Sequence, residues 1–515
     1  MKVKTLLLIL LSTISGFAAT FTVTNANDSG PGSLRQAIID SNSNDQDDTI
    51  NFDPVFFGVQ QTITLTSGML EIRSDSEASG SSRRLTIIGP GAGSLTISGN
   101  NQSRVISIEW QGKALISGIR IANGNGVGGA DYFGAGGGIL VKGGFIGEDV
   151  DLLTLSNCEV TGNTSQSSGG GIYGYGNVTI INSVIHGNSA SNTGGGIGSS
   201  ATSTARMRII NSTVSRNSAV SAGGGLFNLN GNVALINSTV AFNSGTSGST
   251  GGGGIAQQSS GFFDAKLYPR NSIVAKNTLG SSSNIQDVNG IIVSDGYNIV
   301  GSTTGITGIS GILTGNQLNT DPLLDPILSM NGGTLMTHAL LGGSPAIDRG
   351  DNCVLSTPGM GGCSDPVITM DQRGISRPQD GDNNGVPVVD IGAYEVESLP
   401  LPAPGAFDLL ASSDTGYSDS DNITAAQNLS FNVSGLLIGA TVEIYRNGTL
   451  FNSINAVNAE LAFDDTSQQA DGTYVYLVRH RIGNDLSNFK SLTVIVDRTA
   501  PTVTLAQSAA QSDPT

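Results

Sequence analysis

The middle of the chain repeats a short pattern of apolar and polar positions. Alternating segments such as Val178-Thr179-Ile180 are followed by Asn and Ser, a second Asn six residues after the first, a Ser-rich loop and a run of Gly. Alternation over so few residues predicts strands that bury a face only when successive repeats stack on one another. The first Asn of each repeat is Asn157, Asn182, Asn211, Asn237 or Asn271, at spacings of 25, 29, 26 and 34 residues. The second Asn is Asn163, Asn188, Asn217, Asn243 or Asn277.

A repeat of this length with about three short strands is typical of a parallel β-helix, in which backbone hydrogen bonds join successive coils. We expect equivalent Asn residues to align along the axis, with each side-chain amide bonding to the next. Gly supplies the positive φ that sharp corners need and lets neighbouring coils approach. A flexible Ser/Gly linker would lack the regular β-branched pairs. The pattern therefore predicts a β-helix over residues 61–319.

The N-terminus has the order of an export signal. Lys2 and Lys4 precede an apolar run that is followed by small residues. We predict a secretory signal peptide over residues 1–19, because Ser12 interrupts the apolar run well short of the about 20 residues that a membrane span needs. No membrane span is expected after its removal.

Residues 20–60 are predicted to cap the first coil. An uncovered coil would present unpaired strand edges, which favour aggregation. Ser33 and Gln36 form a capping-box pattern, and Leu34, Ala37 and Ile38 give the following short helix one apolar face. We expect this helix to lie over the first coil.

A Pro-rich spacer at residues 397–404 marks a boundary, after which the pattern changes. Strands that alternate at period two, with Asn447-Gly448 as a hairpin turn, predict an immunoglobulin-like β-sandwich over residues 405–497. Tyr474 is a candidate for the tyrosine corner of that fold. Residues 498–515 read as the start of a second, truncated Ig-like domain, so we expect the chain to be a fragment of a longer protein.

Composition agrees with an all-β repeat protein. Gly accounts for 72 of the 515 residues, while charged residues make up only 13%. Hydrophobic content of 38% is too high for a disordered chain. The net charge of −17 opposes binding to nucleic acid or to an anionic membrane surface, since both need clustered positive charge.

Three cysteines do not make a disulfide scaffold, although an exported protein permits one bridge. Cys353 and Cys363 are ten residues apart across a loop that they could close. Cys158 stands where other repeats have Ser, and we interpret it as a small ladder residue.

Several motifs resemble known families. Phe21-Thr22-Val23-Thr24 and the segment from Asp28 to Ile38 resemble the N-terminal cap of bacterial exported β-helix proteins, and the Asn-Ser and Gly-rich coils are similar to polymorphic outer-membrane-type repeats. A further set resembles the choice-of-anchor Q domain of bacterial surface proteins: Asp321-Pro322-Leu323-Leu324, Thr337-His338-Ala339-Leu340, Gly343 to Asp348, Asp371-Gln372-Arg373-Gly374 with Arg377-Pro378, and Asp390-Ile391-Gly392-Ala393-Tyr394-Glu395. The resemblance implies a right-handed parallel β-helix on an exported protein, with residues 320–396 as the C-terminal part of the solenoid. It implies no catalytic residue, and Val389 departs from it where members commonly have Cys.

Two acidic groups are candidates for chemistry. Glu148, Asp149 and Asp151, with Glu159 one strand later, could form an acid-base or calcium site, and a solvated loop explains them equally. No Asp or Glu lies between Val160 and Phe263, so the best-defined coils cannot supply the paired carboxylates of a glycosidase on their own.

The other group has the alternating oxygen ligands of a calcium loop. We predict Asp380, Asp382, Asn384 and Asp390 as its metal ligands, with an acidic turn as the alternative. The twelfth position counted from Asp380 is Ile391, where an EF-hand has Glu. No other cofactor is expected.

The remaining candidate residues are scattered. The three histidines, His186, His338 and His480, fall in different modules, which argues against a shared metal or a nucleophile-base pair. Trp110 and Tyr173 or Tyr175 could stack on sugar rings, although single aromatics more often fill a core or surface.

The sequence predicts an all-β, exported bacterial surface or secreted protein that resembles an adhesin. Its β-helix is expected to recognise extracellular glycan or protein surfaces without catalysis. A polysaccharide lyase or glycoside hydrolase that uses the Glu148 to Glu159 cluster is the first alternative, and a passive structural stalk is the second.

Overall fold

The computed structural model describes residues 18–43, 46–73, 83–110, 112–128, 134–143, 151–200, 206–246, 251–261, 264–280, 284–358, 362–364, 366–382, 386–397, 401–482 and 485–500. The chain divides into two compact units, Met1–Leu399 and Pro400–Thr515. Most of the predicted signal peptide (residues 1–17) and of the predicted second Ig-like domain (residues 501–515) lies outside the described residues.

The first unit is a parallel β-helix whose complete coils pass through sheets A, B, D and C in turn. Sheet A contains Thr20–Val23, Asp48–Phe52, Leu85–Ile88, Ala114–Ser117, Leu153–Ser156, Val178–Ile181, Arg206–Ile210, Asn232–Ile236, Lys266–Arg270, Val288–Asp295 and Ile306–Ile312. Sheet B contains Gln61–Thr64, Leu95–Ser98, Arg120–Ala122, Glu159–Thr161, Val184–His186, Thr213–Ser215, Thr239–Ala241, Ile273–Ala275, Ile299–Val300 and Gln317–Leu318.

The other two sheets close each coil. Sheet C contains Leu70–Ile72, Ile106–Ile108, Ile139–Val141, Ile172–Gly174, Ile197–Ser200, Leu226–Leu229 and Ile255–Gln258, and it ends on Val288–Asp295, which it shares with sheet A. Sheet D contains the two-residue strands Thr164–Ser165, Ser189–Ala190, Ser218–Ala219, Ser244–Gly245 and Thr278–Leu279. Strands this short form because every backbone group finds its partner one coil away.

The register reproduces the repeat of the sequence. Leu153 pairs with Val178, which pairs with Met207, and the same row continues through Val233 to Leu267. These side chains belong to one buried apolar core that runs through the coils. The predicted all-β fold class, a parallel β-helix followed by an Ig-like β-sandwich, is confirmed.

The predicted N-terminal helix is present at Leu34–Asn42. The Ser33 hydroxyl accepts a hydrogen bond from the Gln36 backbone amide at 3.1 Å and so caps the helix. Leu34, Ala37 and Ile38 are buried in the core of the first coils. A single-turn 3-10 helix, Phe56–Gly58, follows in the same cap.

A row of buried asparagines runs along the axis. The Nδ2 of Asn163 donates to Oδ1 of Asn188 at 3.0 Å, and the same bond joins Asn188 to Asn217, Asn217 to Asn243 and Asn243 to Asn277. Each Oδ1 also accepts the backbone N–H of the preceding Asn in the row. The predicted ladder is therefore confirmed, and it consists of the second Asn of each repeat.

The first Asn of each repeat lies at a corner of its coil. Asn157, Asn182, Asn211, Asn237 and Asn271 all have positive φ between 44° and 53°. Asn tolerates this left-handed conformation better than most residues, which explains its place at the corner. The residue after it forms a second row, in which the Cys158 backbone N–H donates to the Ser183 hydroxyl and the Ser183 N–H to that of Ser212. Cys158 is thus a ladder residue, as predicted.

The Gly runs make room for the asparagine row. A Cβ on Gly196 would lie 2.9 Å from Cγ of Asn217 and 2.7 Å from the Gly225 carbonyl oxygen. Gly171 and Gly225 meet Asn188 and Asn243 in the same way, at 3.1 and 3.0 Å. Any side chain at these positions would collide with both the ladder and the next coil, so glycine is required there for close approach.

Residues 320–396, which we expected to form the C-terminal part of the solenoid, lie against the outside of the coils. Their described positions contain isolated β-bridges and one 3-10 helix, Asn352–Leu355. Outward-facing Ile273 and Ile299 of sheet B pack against Leu324, Leu340 and other apolar residues of this segment. Because sheet B presents apolar side chains on its outer face in these coils, it needs such a cover. We call residues 320–396 the covering segment.

The second unit is an antiparallel β-sandwich. One sheet contains Phe407–Leu409, Leu429–Ser434 and Glu460–Asp465, and the other contains Ile423–Thr424, Thr441–Arg446, Thr449–Asn455, Gly472–Ile482, Asp485–Leu486 and Lys490–Val496. Asn447 and Gly448, with φ of 48° and 80°, form the predicted hairpin turn. The Tyr474 hydroxyl donates to the Ala470 carbonyl at 3.0 Å, which confirms the predicted tyrosine corner.

Candidate functional site

The acidic cluster that could have served catalysis is only partly described. Glu148 and Asp149 lie outside the described residues, and Asp151 is half-buried. Glu159 accepts a hydrogen bond from Arg120 Nε at 2.8 Å, and its other oxygen lies 2.9 Å from Nε2 of His186. Burial alone would raise the pKa of Glu159, but the hydrogen bond from His186 and the charge of Arg120 outweigh it and hold the pKa below its usual value. Glu159 is therefore suited to an ion pair and unsuited to donating a proton.

The covering segment brings a serine and a histidine together that lie far apart in the sequence. The Ser215 hydroxyl is 2.7 Å from Nε2 of His338, and Nδ1 of that ring is 2.8 Å from the Asp325 carbonyl oxygen. Desolvation by burial lowers the pKa of His338 to about 4, so the ring is neutral at pH 7. The ring then donates from Nδ1 and accepts the Ser215 proton at Nε2.

The Ser215–His338 contact does not have the arrangement of a catalytic nucleophile and its base. Both residues are buried, with His338 only 1% exposed, and a backbone carbonyl takes the place of the acid that orients a catalytic histidine. A nucleophile needs an open position for its substrate. The Ser215–His338 pair therefore fastens the covering segment to sheet B. No signal in the sequence pointed to it, because 123 residues separate the two side chains.

The structure describes three of the four predicted calcium ligands, Asp380, Asp382 and Asp390. Asp380 and Asp382 lie with Asp348, each offering a carboxylate oxygen within 4.8 Å of the others. The two oxygens of Asp390 instead accept the backbone N–H groups of Asp348 and Val396, at 2.7 and 2.6 Å. Asn384 lies outside the described residues. Calcium binding by Asp380, Asp382, Asn384 and Asp390 stays a prediction.

The loop turns its backbone amides toward Asp348. The N–H groups of Gly381 and Asp382 donate to the two Asp348 oxygens, at 3.2 and 2.6 Å. Burial and the nearby Asp382 carboxyl raise the pKa of Asp348. A proton or a cation between the two carboxyl groups would relieve their repulsion. Asp348 was not among the predicted ligands, because it precedes the loop by more than thirty residues.

The motif residues of the covering segment form a buried ionic network. Arg377 donates to Glu395 at 2.7 Å and to the Asp390 and Gly392 carbonyls at 3.0 and 2.8 Å. Both side chains of the Arg377–Glu395 pair are completely buried. Arg373 pairs with Asp371 at 2.8 Å, with its guanidinium over the Tyr394 ring. Every charge in this network has a partner, so the network explains the motif as a structural device.

Two surfaces of the β-helix expose groups suited to recognition. On the first, the Tyr175 ring and Trp110, which is 52% exposed, both approach Gly143. The second is a groove of about 360 Å³ on the outer face of sheet A. Arg206, Arg208, Asn232, Ala234, Tyr268 and Asp295 line it. We call it the sheet A groove. The sequence did not reveal it, because its lining comes from four coils.

The asparagine ladder ends on an acid. Asp287 is fully buried, and its Oδ1 accepts two hydrogen bonds from Asn277, both at 2.9 Å. Burial raises the pKa of Asp287 to about 6 against the opposing effect of those bonds. The folded chain therefore holds the Asp287 proton to higher pH than the unfolded chain does, which makes this end of the ladder sensitive to pH.

We expect Asp287→Asn to remove part of the pH dependence of stability. Because the folded pKa lies above the unfolded one, near 4, Asp287 destabilises the fold progressively as pH rises from about 4 to 6. The shift corresponds to about 3 kcal/mol at most. Urea unfolding should show that the free energy of unfolding of the variant, relative to that of the parent, increases by up to that amount between pH 4 and pH 7. The exposed Asp264→Asn serves as the control, and an equal pH profile for parent and Asp287→Asn would contradict the prediction.

These features define an all-β protein with a parallel β-helix and an Ig-like β-sandwich. Residues 400–498 match the family model of the bacterial Ig-like domain. Such domains are typical of extracellular or surface proteins. No curated protein matches the sequence of this chain. None of the helices within the described residues has the length and apolar character to cross a membrane.

Proposed function

We propose that this is an exported bacterial surface protein that acts as an adhesin, with the β-helix as its recognition element. The match of residues 400–498 to the bacterial Ig-like domain is the observation that carries the proposal. The Cys353–Cys363 disulfide supports export, because such bonds persist mainly in oxidising compartments. The signal-like order of residues 1–19 supports it as well.

Recognition without catalysis is favoured by the state of three of the described ionisable groups. Glu159 is held in an ion pair, His338 is buried and neutral, and Glu395 is paired with Arg377. A glycosidase needs two carboxyl groups beside an open substrate position, one of them with a raised pKa. These three groups do not meet those needs. A lyase or hydrolase built on Glu148, Asp149 and Asp151 stays the alternative.

Incubation of the full chain with neutral and acidic polysaccharides, with and without calcium, tests the proposal. Both release of products and retention of the protein on each polymer are recorded. We expect retention without new reducing or unsaturated ends. Products would overturn the proposal in favour of an enzyme, and replacement of Glu148, Asp149 and Asp151 by their amides should then abolish the activity. Neither products nor retention would favour a protein ligand or a passive stalk.

A further inference from the structure

The middle of the sheet A groove is formed by a small side chain that lies between two large ones. Arg208 lies opposite Ala234, and Ala234 lies opposite Tyr268 on the following strand. Neighbouring strands are about 4.8 Å apart, so Arg208 and Tyr268 stand about 10 Å apart with only the Ala234 methyl group between them. The groove volume of about 360 Å³ falls within the range of small-ligand sites.

The charges along the groove are arranged unevenly. Arg206 and Arg208 contribute two guanidinium groups from one strand, and Arg206 is exposed. Lys266, in register with Asn232 and hence with Arg206, is ion-paired with Asp264 at 3.1 Å and adds little net charge. Asp295 lines the groove from a later strand. The groove of this chain, whose net charge is −17, therefore contains two arginines from one strand together with one carboxyl group.

We propose that the sheet A groove binds a uronate residue of an acidic glycan. The inference rests on the proposed function and names its ligand class. Arg206 and Arg208 bind the sugar carboxylate, since a guanidinium matches a carboxylate in bidentate geometry. The Tyr268 ring packs against the apolar face of the sugar ring. Asn232 and Asp295 bind hydroxyl groups.

The mixed charge of the groove selects among anionic ligands. A phosphate monoester, which carries about −1.5 to −2 charge at pH 7, is repelled by Asp295 more strongly than a monoanion is. A neutral sugar leaves the arginine pair without its acceptor. A monoanionic sugar that also presents hydroxyl donors satisfies both ends. Because the net charge of the chain repels long polyanions, short oligosaccharides are the better probes.

Fluorescently labelled oligogalacturonate, alginate oligosaccharide and hyaluronan oligosaccharide are the probes, titrated into the full chain. The carboxyl-reduced form of each oligosaccharide, with the same ring and hydroxyl groups, is the neutral comparison. We expect at least one acidic probe to bind and its reduced form to bind at least about tenfold more weakly, because charge-assisted hydrogen bonds are lost.

Two variants test the groove independently. The double variant Arg206→Gln with Arg208→Gln removes the cations and should weaken acidic binding about ten- to hundredfold. Ala234→Leu keeps both arginines but places a larger side chain in the middle of the groove, so it should abolish binding by steric exclusion. Arg84→Gln, an exposed arginine before another sheet A strand, and Thr154→Leu, in the row of Ala234 three coils earlier, are the matched controls. Both controls should bind as the parent does.

The inference is wrong if none of the acidic probes binds, if reduced and acidic probes bind equally, or if the groove variants bind like the parent. If the groove variants are retained on the polysaccharide panel as well as the parent is, the groove is not the binding site, but the proposed adhesin function still stands. Product release in that panel would overturn the function instead. The two failures are therefore distinguishable.

Discussion

Replacing Asn217 with Ala should destabilise the β-helix by about 3 to 6 kcal/mol, one of the two largest effects that we expect. The Asn217 side chain donates to Asn243 Oδ1 and to the Ile185 carbonyl, both at 2.9 Å. Its Oδ1 accepts both the backbone and the side-chain N–H of Asn188, at 3.0 Å each. Alanine leaves the partners on both sides buried and unsatisfied, and each such group costs about 1 to 3 kcal/mol.

The measurement is urea unfolding followed by tryptophan fluorescence. Trp110 is the single tryptophan of the chain and lies in the β-helix unit, so the signal reports on that unit alone. Asn192→Ala, an exposed position in a Ser-rich loop nearby, is the matched control and should change stability by less than about 0.5 kcal/mol. Equal effects of the two substitutions would show that the ladder adds nothing to stability.

The asparagine ladder also shows how far the sequence alone could lead. The fixed offset between the two asparagines predicted stacked coils and an axial ladder, because identical residues at equivalent turns must superimpose. The spacing could not say which Asn forms the continuous row, since both sets recur with equal regularity. The difference lies in backbone conformation: Asn211 has a φ of 49° at a corner, whereas Asn217 points into the coil.

Contacts between distant segments could not be predicted from the sequence. The covering segment reaches back to coils formed more than a hundred residues earlier, so Ser215 meets His338 and Thr213 meets Gln372. Arg104, which is fully buried, donates to the Gly126 and Gly136 carbonyls, and no pattern in the sequence predicted these bonds. Local periodicity does not encode these contacts, because they depend on how segments without strands pack against the coils.

The sheet A groove could not be predicted for a related reason. Arg208 and Tyr268 are sixty residues apart, and their approach depends on the exact register of three strands. A loop of different length in one coil leaves that register unchanged, so the spacing between the two residues carries no information about the groove. Only the outward direction of both side chains follows from the alternation of each strand.

Arg377→Met should release the covering segment while leaving the coils folded. Methionine keeps much of the side-chain volume but leaves the completely buried Glu395 without its charged partner. It also removes the hydrogen-bond donors to the Asp390 and Gly392 carbonyls. Loss of one partner of a buried ion pair costs about 3 to 5 kcal/mol. Burial already raises the pKa of Glu395, with Arg377 opposing that effect. Without Arg377 the folded pKa rises further above the unfolded one, so the loss of stability should be smaller at pH 5 than at pH 8.

Hydrogen exchange followed by mass spectrometry separates local from global opening. Amides of the covering segment, such as those of Ile391 and Gly392, which bond to the Ala346 and Asn271 carbonyls, should exchange about 10² to 10³ times faster in the variant. Peptides from sheet D and sheet C should keep their protection, because their bonds run between coils. Arg349→Met, at a side chain that is 59% exposed in the same segment, is the control and should have little effect. Equal exchange in the two variants, or loss of protection throughout the coils, would show that the Arg377–Glu395 pair does not hold the covering segment in the way its burial indicates.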